Sequence, residues 1–205
     1  MKVGIDFDNT IVSYERVFHK VALEKSLINS NVAISKISVR DHIRTFINND
    51  TWTELQGYVY GKRMSDADIY HGFIDFLKFA KNNQIEVIIV SHKTIYPYLG
   101  KKYNLHDSAR KFISKFFINE NINLLETKNI FFELTQREKA MRIQEESCDY
   151  FVDDLPEIFS LKEFPRKTKQ ILFDPEFKHK KFDHGFISSN WNNIIHFIND
   201  DFIQR

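Results

Sequence analysis

Acidic, hydroxyl and amine side chains occur in this sequence at positions where predicted strands end. The first predicted strand, residues 2–7, delivers Asp6, with Asp8 and Thr10 close behind. Later strands deliver the remaining side chains of this type, which are Ser91, Asp153 and Asp154, and Lys139 lies one turn into a predicted helix. In open parallel sheets, ligands bind outside the carboxyl ends of the strands. We therefore expect these seven side chains to converge.

This combination of side chains suits phosphate chemistry with a magnesium ion. Converging carboxylates repel one another unless a hard cation is present, and Mg²⁺ prefers oxygen ligands. Lys139 would neutralise a phosphate brought to that metal, while Ser91 and Thr10 donate hydrogen bonds to it. A carboxylate with a second acid two residues later, as in Asp6 and Asp8, could act as a nucleophile beside a proton donor.

The elements that must position these residues alternate between strand and helix. Short apolar runs predict strands at 86–90, 129–134, 150–152 and 169–173, with helical patterns between and after them. Such alternation predicts a three-layer α/β/α, Rossmann-like core with a parallel sheet. Residues 14–80 carry helical patterns only, so we predict a core formed by 1–13 and 81–205 with a helical cap inserted at 14–80.

Three polar residues are predicted to begin helices. Ser38 precedes an apolar repeat at helical spacing, and Ser65 precedes another that starts at Ile69. Thr135 and Glu138 form a capping box, which predicts a helix start at this point. Lys139 then lies in the first turn of that helix, where a cation is unfavourable and invites a functional reason. Arg137 remains an alternative cation, whereas Lys128 precedes its strand and would lie at the opposite edge of the sheet.

The order of these motifs resembles the haloacid dehalogenase-like (HAD) hydrolase superfamily. The resemblance rests on Asp-Phe-Asp-Asn-Thr at 6–10, a strand ending at Ser91, Lys139, and Asp153-Asp154 after an apolar strand. It covers residues 3 to about 154, and the first and last motifs are the specific ones. The helical segment after the first motif resembles the family's cap, which closes over small substrates and excludes water.

The resemblance implies a role for each motif residue. Asp6 would be the nucleophile, and Asp8 would protonate the leaving oxygen and then activate water. Ser91 and Lys139 would hold phosphoryl oxygens. Magnesium would be bound by Asp6, the backbone carbonyl of Asp8 and Asp153, with Asp154 bound either directly or through water. The acid at position 8 accompanies phosphoryl transfer in this family and argues against a carbon–halogen substrate.

These roles imply a phosphatase acting on a small phosphorylated metabolite, either a sugar phosphate or a nucleotide. Two alternatives stay open, namely a phosphomutase on the same scaffold and a non-catalytic subunit that binds a phosphorylated ligand or a partner. Candidate substrate-contacting residues are Trp52, Gln56, Tyr60, Lys62, His92 and Lys93. Aromatic packing explains Trp52 and Tyr60 equally well. A branch of the superfamily that is associated with bacterial surface-carbohydrate biosynthesis carries similar segments. In this sequence they are Trp52, residues 55–57, 60–62 and 91–94, and the segment from Phe132 to Lys139.

The overall composition argues against polyanionic partners. The chain has 29 basic and 28 acidic side chains and a net charge of +1. It therefore lacks the excess of positive charge that would attract nucleic acid or an anionic membrane. No apolar stretch reaches the roughly 18 residues of a membrane span, and we expect a cytoplasmic protein. The sequence does not predict the oligomeric state.

Overall fold

A computed structural model describes residues 1–119, 122–183 and 185–203. The chain divides into two compact units. Unit 1 contains Met1–Ile11, Ile69–His92 and the described residues from Phe116 onward, and unit 2 contains Val12–Asp68 and Lys93–Lys115. This division differs from the predicted boundaries at three places, because residues 69–80 belong to unit 1, whereas residues 12–13 and 93–115 belong to unit 2.

The described residues form eight α-helices and ten strands. The helices are α1 (Glu15–Glu24), α2 (Lys36–Phe46), α3 (Asn49–Gly61), α4 (Phe73–Asn82), α5 (Leu105–Phe117), α6 (Gln136–Glu145), α7 (Pro156–Phe159) and α8 (Trp191–Ile203). The strands are β1 (Lys2–Ile5), β2 (Val12–Ser13), β3 (Asp68–Ile69), β4 (Glu86–His92), β5 (Ile118–Asn119), β6 (Ile122–Asn123), β7 (Ile130–Glu133), β8 (Tyr150–Asp153), β9 (Lys169–Phe173) and β10 (Gly185–Ser188).

Unit 1 is built on a six-stranded sheet in the order β10-β9-β8-β1-β4-β7. Every neighbouring pair in this sheet is parallel, which confirms the predicted α/β class. The chain moves outward from β1 through β4 to β7, and then returns to β8 on the other side of β1. This reversal is a topological switch point, and ligands bind at such points in open α/β sheets.

Helices cover both faces of the sheet. Ala140 and Ile143 of α6 pack with Ile88 and Val90 of β4 in one buried cluster. On the other face α4 and α8 pack together, and the rings of Phe73 and Trp191 lie 4.8 Å apart between their centres. Burying large apolar side chains on both faces explains why the strands of this sheet are continuous apolar runs.

Unit 2 is mainly helical. Helices α1, α2 and α3 pack against one another, and their shared core contains aromatic rings in tilted and edge-to-face contact. The rings of Phe18 and Trp52 lie 4.9 Å apart and those of Tyr14 and Tyr60 lie 4.8 Å apart. Helix α3 was not predicted from the sequence.

Two predicted helix starts are wrong. Helix α2 begins after Ser35, whose hydroxyl accepts a hydrogen bond from the backbone N–H of Ser38 at 2.9 Å. Ser65 lies in a short 3-10 turn, and α4 begins only after Gly72. Gly72 has a φ of +85°, a left-handed conformation that ordinary side chains disfavour, so the chain turns there instead of continuing a helix.

Helix α6 starts where the Thr135 and Glu138 pattern predicted, with Thr135 as its N-cap residue. The Thr135 hydroxyl oxygen accepts a hydrogen bond from the backbone N–H of Glu138 at 3.1 Å, and the same hydroxyl donates to the Glu138 carboxylate at 3.0 Å.

Among the described residues, no helix combines the length and apolar character needed to cross a membrane.

Candidate active site

Asp6 directly follows β1, at the switch point of the sheet. Its backbone N–H donates to the carbonyl of Val152 at 2.9 Å, which extends the pairing of β1 with β8 by one residue. Because Ile5 pairs with Val152, Asp6 lies beside Asp153 at the carboxyl edge. The Asp6 side chain is buried, so its carboxylate needs partners to offset the loss of hydration.

Lys139 provides one of those partners and joins two strand ends. Its Nζ lies 2.5 Å from Asp6 Oδ1 and 2.6 Å from Asp153 Oδ2. The capping box starts α6 three residues earlier, so Lys139 occupies the first helical turn and reaches this cluster. All three side chains are buried. A lysine in a helix N-terminal turn is thus held by two carboxylates.

Hydroxyl groups complete the cluster. Ser91, near the end of β4, donates a hydrogen bond from its hydroxyl to Asp6 Oδ1 at 2.9 Å. The Thr10 hydroxyl lies 3.4 Å from Asp154 Oδ1 and donates to it. Thr10 therefore contacts an acid of the cluster, and its carbonyl accepts a hydrogen bond from the Trp191 indole at 3.2 Å.

A small cavity opens over these side chains. Its volume is about 80 Å³, and Asp6, Asp8, Ser91, Lys139 and Asp154 all line it. Since a liquid water molecule takes up about 30 Å³, the cavity has room for two or three waters or a group of phosphate size. It is too small for a larger organic group.

Burial controls the charges in this cluster. Burial lowers the pKa of Lys139, but the carboxylates of Asp153 and Asp6 more than reverse that effect, so its pKa is raised and the amine keeps its proton. Burial raises the pKa of Asp153 to about 7, although the Lys139 ammonium opposes that shift. The cluster therefore contains more carboxyl groups than its single cation can hold in the ionised form.

Three carboxylates meet the requirements of a magnesium site. Asp6, Asp153 and Asp154 each offer one oxygen, and these oxygens lie within 4.8 Å of one another. An octahedral Mg²⁺ at 2.0–2.1 Å from each ligand places opposite oxygens about 4.2 Å apart. Neighbouring oxygens in the same octahedron lie about 2.9 Å apart, so the side chains would need to close by up to about 1.9 Å to hold the ion. The donor set consists of oxygens, as Mg²⁺ requires, so these residues fit the ion.

The competing cations lie elsewhere on the surface. Arg137 pairs with Glu163 at 3.0 Å, and Lys128 pairs with Glu126 at 2.7 Å. The side chains of Arg137 and Lys128 are 70% and 75% exposed. Of the three candidates, Lys139 alone contacts the acids that follow β1 and β8.

The predicted substrate-contacting residues are spread over both units. His92 ends β4 and lines the cavity over Asp6. In unit 2, Trp52 is buried in the aromatic core, whereas Gln56 and Tyr60 line a separate pocket. The buried Lys93 ammonium lies 5.3 Å from the centre of the Tyr60 ring. Lys62 is exposed at the end of α3.

Two polar residues that line the cavity over Asp6 were missed. Asn9 adopts a left-handed backbone conformation, with φ of +60°, in the turn between Asp8 and Thr10. An asparagine flanked by polar residues after a strand is a signal for such a turn. Gln136 is the first residue of α6, and the capping box already placed it at the carboxyl edge of the sheet.

Solved structures share this architecture along nearly the whole chain. A predicted phosphatase from Clostridium acetobutylicum is 13% identical, with a TM-score of 0.60, and the match covers 97% of this chain and 98% of that one. A HAD-superfamily hydrolase from Ehrlichia chaffeensis is 14% identical, with a TM-score of 0.54, and the match covers 97% and 96% of the two chains. This chain has the HAD-superfamily fold.

A third structure with the HAD fold contains ligands. It is a hydrolase from Deinococcus radiodurans with bound phosphate and sodium, 10% identical at a TM-score of 0.59, and the match covers 97% of this chain and 95% of that one. At these identities the likeness establishes the fold alone. No protein-family model matches the sequence, and no curated protein matches it either.

Proposed function

We propose that this protein is a magnesium-dependent phosphohydrolase that forms an aspartyl-phosphate on Asp6. The observation that carries the proposal is the buried cluster in which Asp6 contacts Ser91 and Lys139 while its carboxylate lies beside Asp153 and Asp154. The HAD fold, which this chain shares with solved hydrolases and a predicted phosphatase, adds support.

The chain's residues supply each part of the first step. A carboxylate oxygen of Asp6 attacks the phosphorus atom, and the bond from phosphorus to the ester oxygen breaks. Asp8 transfers its proton to the departing oxygen, which leaves as an alcohol. Lys139 and Ser91 stabilise the charge on the phosphoryl oxygens, and Thr10 holds Asp154 through the hydrogen bond described above.

The second step returns the protein to its starting state. Asp8, now ionised, takes a proton from a water molecule as the water oxygen attacks phosphorus. The bond between phosphorus and Asp6 breaks, which releases inorganic phosphate and restores both carboxyl groups. Asp6, Asp153 and Asp154 would hold Mg²⁺, whose bound charge offsets the repulsion between these acids and the phosphate.

Phosphate release from a panel of sugar phosphates, nucleotides and small phosphate esters tests the proposal. Wild type, Asp6→Asn and a control, Asp75→Asn, are assayed with Mg²⁺ and with chelator. Asp75 lies on α4 with a side chain that is 63% exposed, so its substitution matches the charge change without touching the cluster. We expect turnover by wild type and Asp75→Asn, and loss of turnover in Asp6→Asn or with chelator.

Two other outcomes would contradict hydrolysis. Phosphorus NMR that records isomerisation of a sugar phosphate without phosphate release would identify a mutase. Saturable binding of a phosphate ester with no turnover in wild type would instead indicate a binding protein that retains the HAD fold.

A further inference from the structure

Unit 2 contains a pocket of its own between α3 and the segment 93–105. Its volume is about 150 Å³. The polar side chains that line it are Thr53 and Gln56 of α3 and Thr94, and two tyrosine rings, Tyr60 and Tyr98, form further parts of the wall. None of these residues belongs to the acid cluster of unit 1.

A glycine on α3 allows the pocket to form. A Cβ atom at Gly57 would lie 2.6 Å from Pro97 Cβ, closer than such atoms approach in proteins. Gly57 therefore lets residues 97–99 pack directly on the helix, and Pro97 and Gly57 both line the pocket. The wall is fixed by backbone packing on a helix, as expected of a largely pre-formed site.

The lining favours a neutral ligand that carries hydroxyl groups. Of the described residues that line the pocket, none has a charged side chain, so the wall itself offers no ion pair to a charged ligand. The ammonium groups of Lys36 and Lys93 lie 5.6 Å and 5.3 Å from the centre of the Tyr60 ring, which are cation–π distances. The Thr53 and Thr94 hydroxyls donate to the carbonyls of Asn49 and Tyr96, each at 3.0 Å. Their oxygens remain able to accept from a ligand, and the Gln56 amide can both donate and accept.

The volume limits the ligand to one ring. A cavity of about 150 Å³ holds a single six-membered ring such as benzene. A pyranose has a ring of that size, with C–H faces that suit the tyrosine rings and hydroxyls that suit Gln56 and the threonines. A nucleoside, which combines a base with a ribose, is too large for this volume.

We infer that this pocket binds one neutral sugar ring. A second step rests on the function proposed above: the phosphate ester is then a monosaccharide phosphate, and not a nucleotide. Thr94 follows Ser91 by three residues, and three residues of chain span at most about 11 Å. The covalent chain therefore keeps Thr94, which lines the pocket, within about 11 Å of Ser91, which contacts Asp6.

Saturation-transfer NMR on the full chain tests the binding step. The probes are methyl glycosides of common hexoses, with adenosine and uridine for comparison. We expect at least one glycoside to bind and neither nucleoside to do so. Tyr98→Ala should weaken the glycoside at least tenfold, and because Tyr98 is 81% exposed its removal spares the fold. Tyr96→Ala, an exposed tyrosine of the same segment outside the pocket, should change the affinity less than twofold.

Several outcomes would overturn the inference. They are the absence of glycoside binding, binding of the nucleosides instead, and equal weakening by Tyr98→Ala and Tyr96→Ala. Asp6→Asn should bind the glycoside as wild type does, since Asp6 does not line the pocket.

Kinetics test the second step separately. Gln56→Leu should raise KM for a hexose phosphate at least fivefold more than it raises KM for 4-nitrophenyl phosphate, whose ring carries no hydroxyl group for the Gln56 amide to bind. If glycosides bind but no ester is hydrolysed, the pocket inference stands and the proposed function fails. If nucleotides are the best substrates and glycosides do not bind, the proposed function stands and the pocket inference fails.

Discussion

Each of the two units places one cation between two carboxylates, in unit 1 as a buried network and in unit 2 as an exposed network. In unit 1, Lys139 lies between Asp6 and Asp153, and all three are buried. In unit 2, Arg63 pairs with Glu24 and with Asp66, the latter at 2.7 Å, and the side chain of Glu24 is 44% exposed. Each group has one positive and two negative side chains, so the comparison shows what burial adds to the same set of charges.

Burial reverses the direction of the carboxylate pKa shift. A hydrogen bond from Arg63 lowers the pKa of Asp66, because the ionised form gains a partner and stays largely hydrated. Burial instead raises the pKa of Asp153, even though the Lys139 Nζ lies only 2.6 Å from Asp153 Oδ2. A buried acid that its cation cannot fully compensate is a place where a metal ion gains free energy, whereas a solvated pair has no such deficit.

The largest difference between the two networks should be in stability. Lys139→Met, measured with chelator present, leaves two buried carboxylates without a cation, which costs about 3–5 kcal/mol. For a chain of this length the melting temperature should fall by about 6–20 °C. Arg63→Met should change the melt far less, since its acids return to water. Equal losses in the two variants would show that burial does not separate the networks.

The next largest difference between the two networks should be in catalytic activity. Lys139→Met should lower kcat/KM about 10²–10³-fold, the typical cost of removing one donor that stabilises transition-state charge. Arg63→Met should retain wild-type kcat/KM. Assays at a temperature where both variants remain folded by circular dichroism exclude loss of fold as the cause. A Lys139→Met protein with normal turnover would remove Lys139 from the proposed mechanism.

The buried network was largely predictable from sequence, since its members lie where apolar runs end. A strand at 86–90 and another at 150–152 place Ser91 and Asp153 at the same edge as Asp6, whatever the details of packing. The contact between Lys139 and Asp153 was not predictable, because it depends on how far the first turn of α6 reaches over β8.

Unit 2 was less predictable. Helix α3 contains Gly57 and Gly61, which weaken helix propensity, and close packing of residues 97 and 103 on them explains their presence. These contacts join residues about 40 positions apart in the sequence, so a pattern of neighbouring residues cannot predict them. In unit 1, the edge strand β10 was also not predicted, because it is only four residues long and alternation over so short a run is not distinctive.

Magnesium should stabilise unit 1 by a smaller amount. A ligand at one hundred times its Kd adds about 2.7 kcal/mol to the free energy of unfolding, or about 5–11 °C in melting temperature for a chain of this length. We expect this shift in wild type and in Asp66→Asn, and its loss in Asp153→Asn. A shift that persists in Asp153→Asn would place the ion elsewhere.

The buried network should also give the metal-free protein an unusual pH dependence. The pKa of Asp153 is raised from 3.8 to about 7, so between these values the folded state holds a proton that the unfolded state has released. Stability from this group is therefore lost as pH rises from about 4 to about 7. Urea midpoints measured with chelator should show wild type losing stability relative to Asp153→Asn over that range. A constant difference would contradict the shift.

The exposed network should respond to pH in the opposite direction and most weakly. Because the pKa of Asp66 is lowered, its contribution is fully present above its unfolded value near 3.8 and is lost as pH falls through the lower folded value. Exposed pairs contribute about 0–1 kcal/mol, so wild type should exceed Asp66→Asn by no more than that at pH 7. The difference should shrink toward zero as the urea midpoints are followed to the lowest pH at which both proteins fold. A difference that grows on acidification would mean that Asp66, like Asp153, is governed by burial, and the contrast between the two networks would fail.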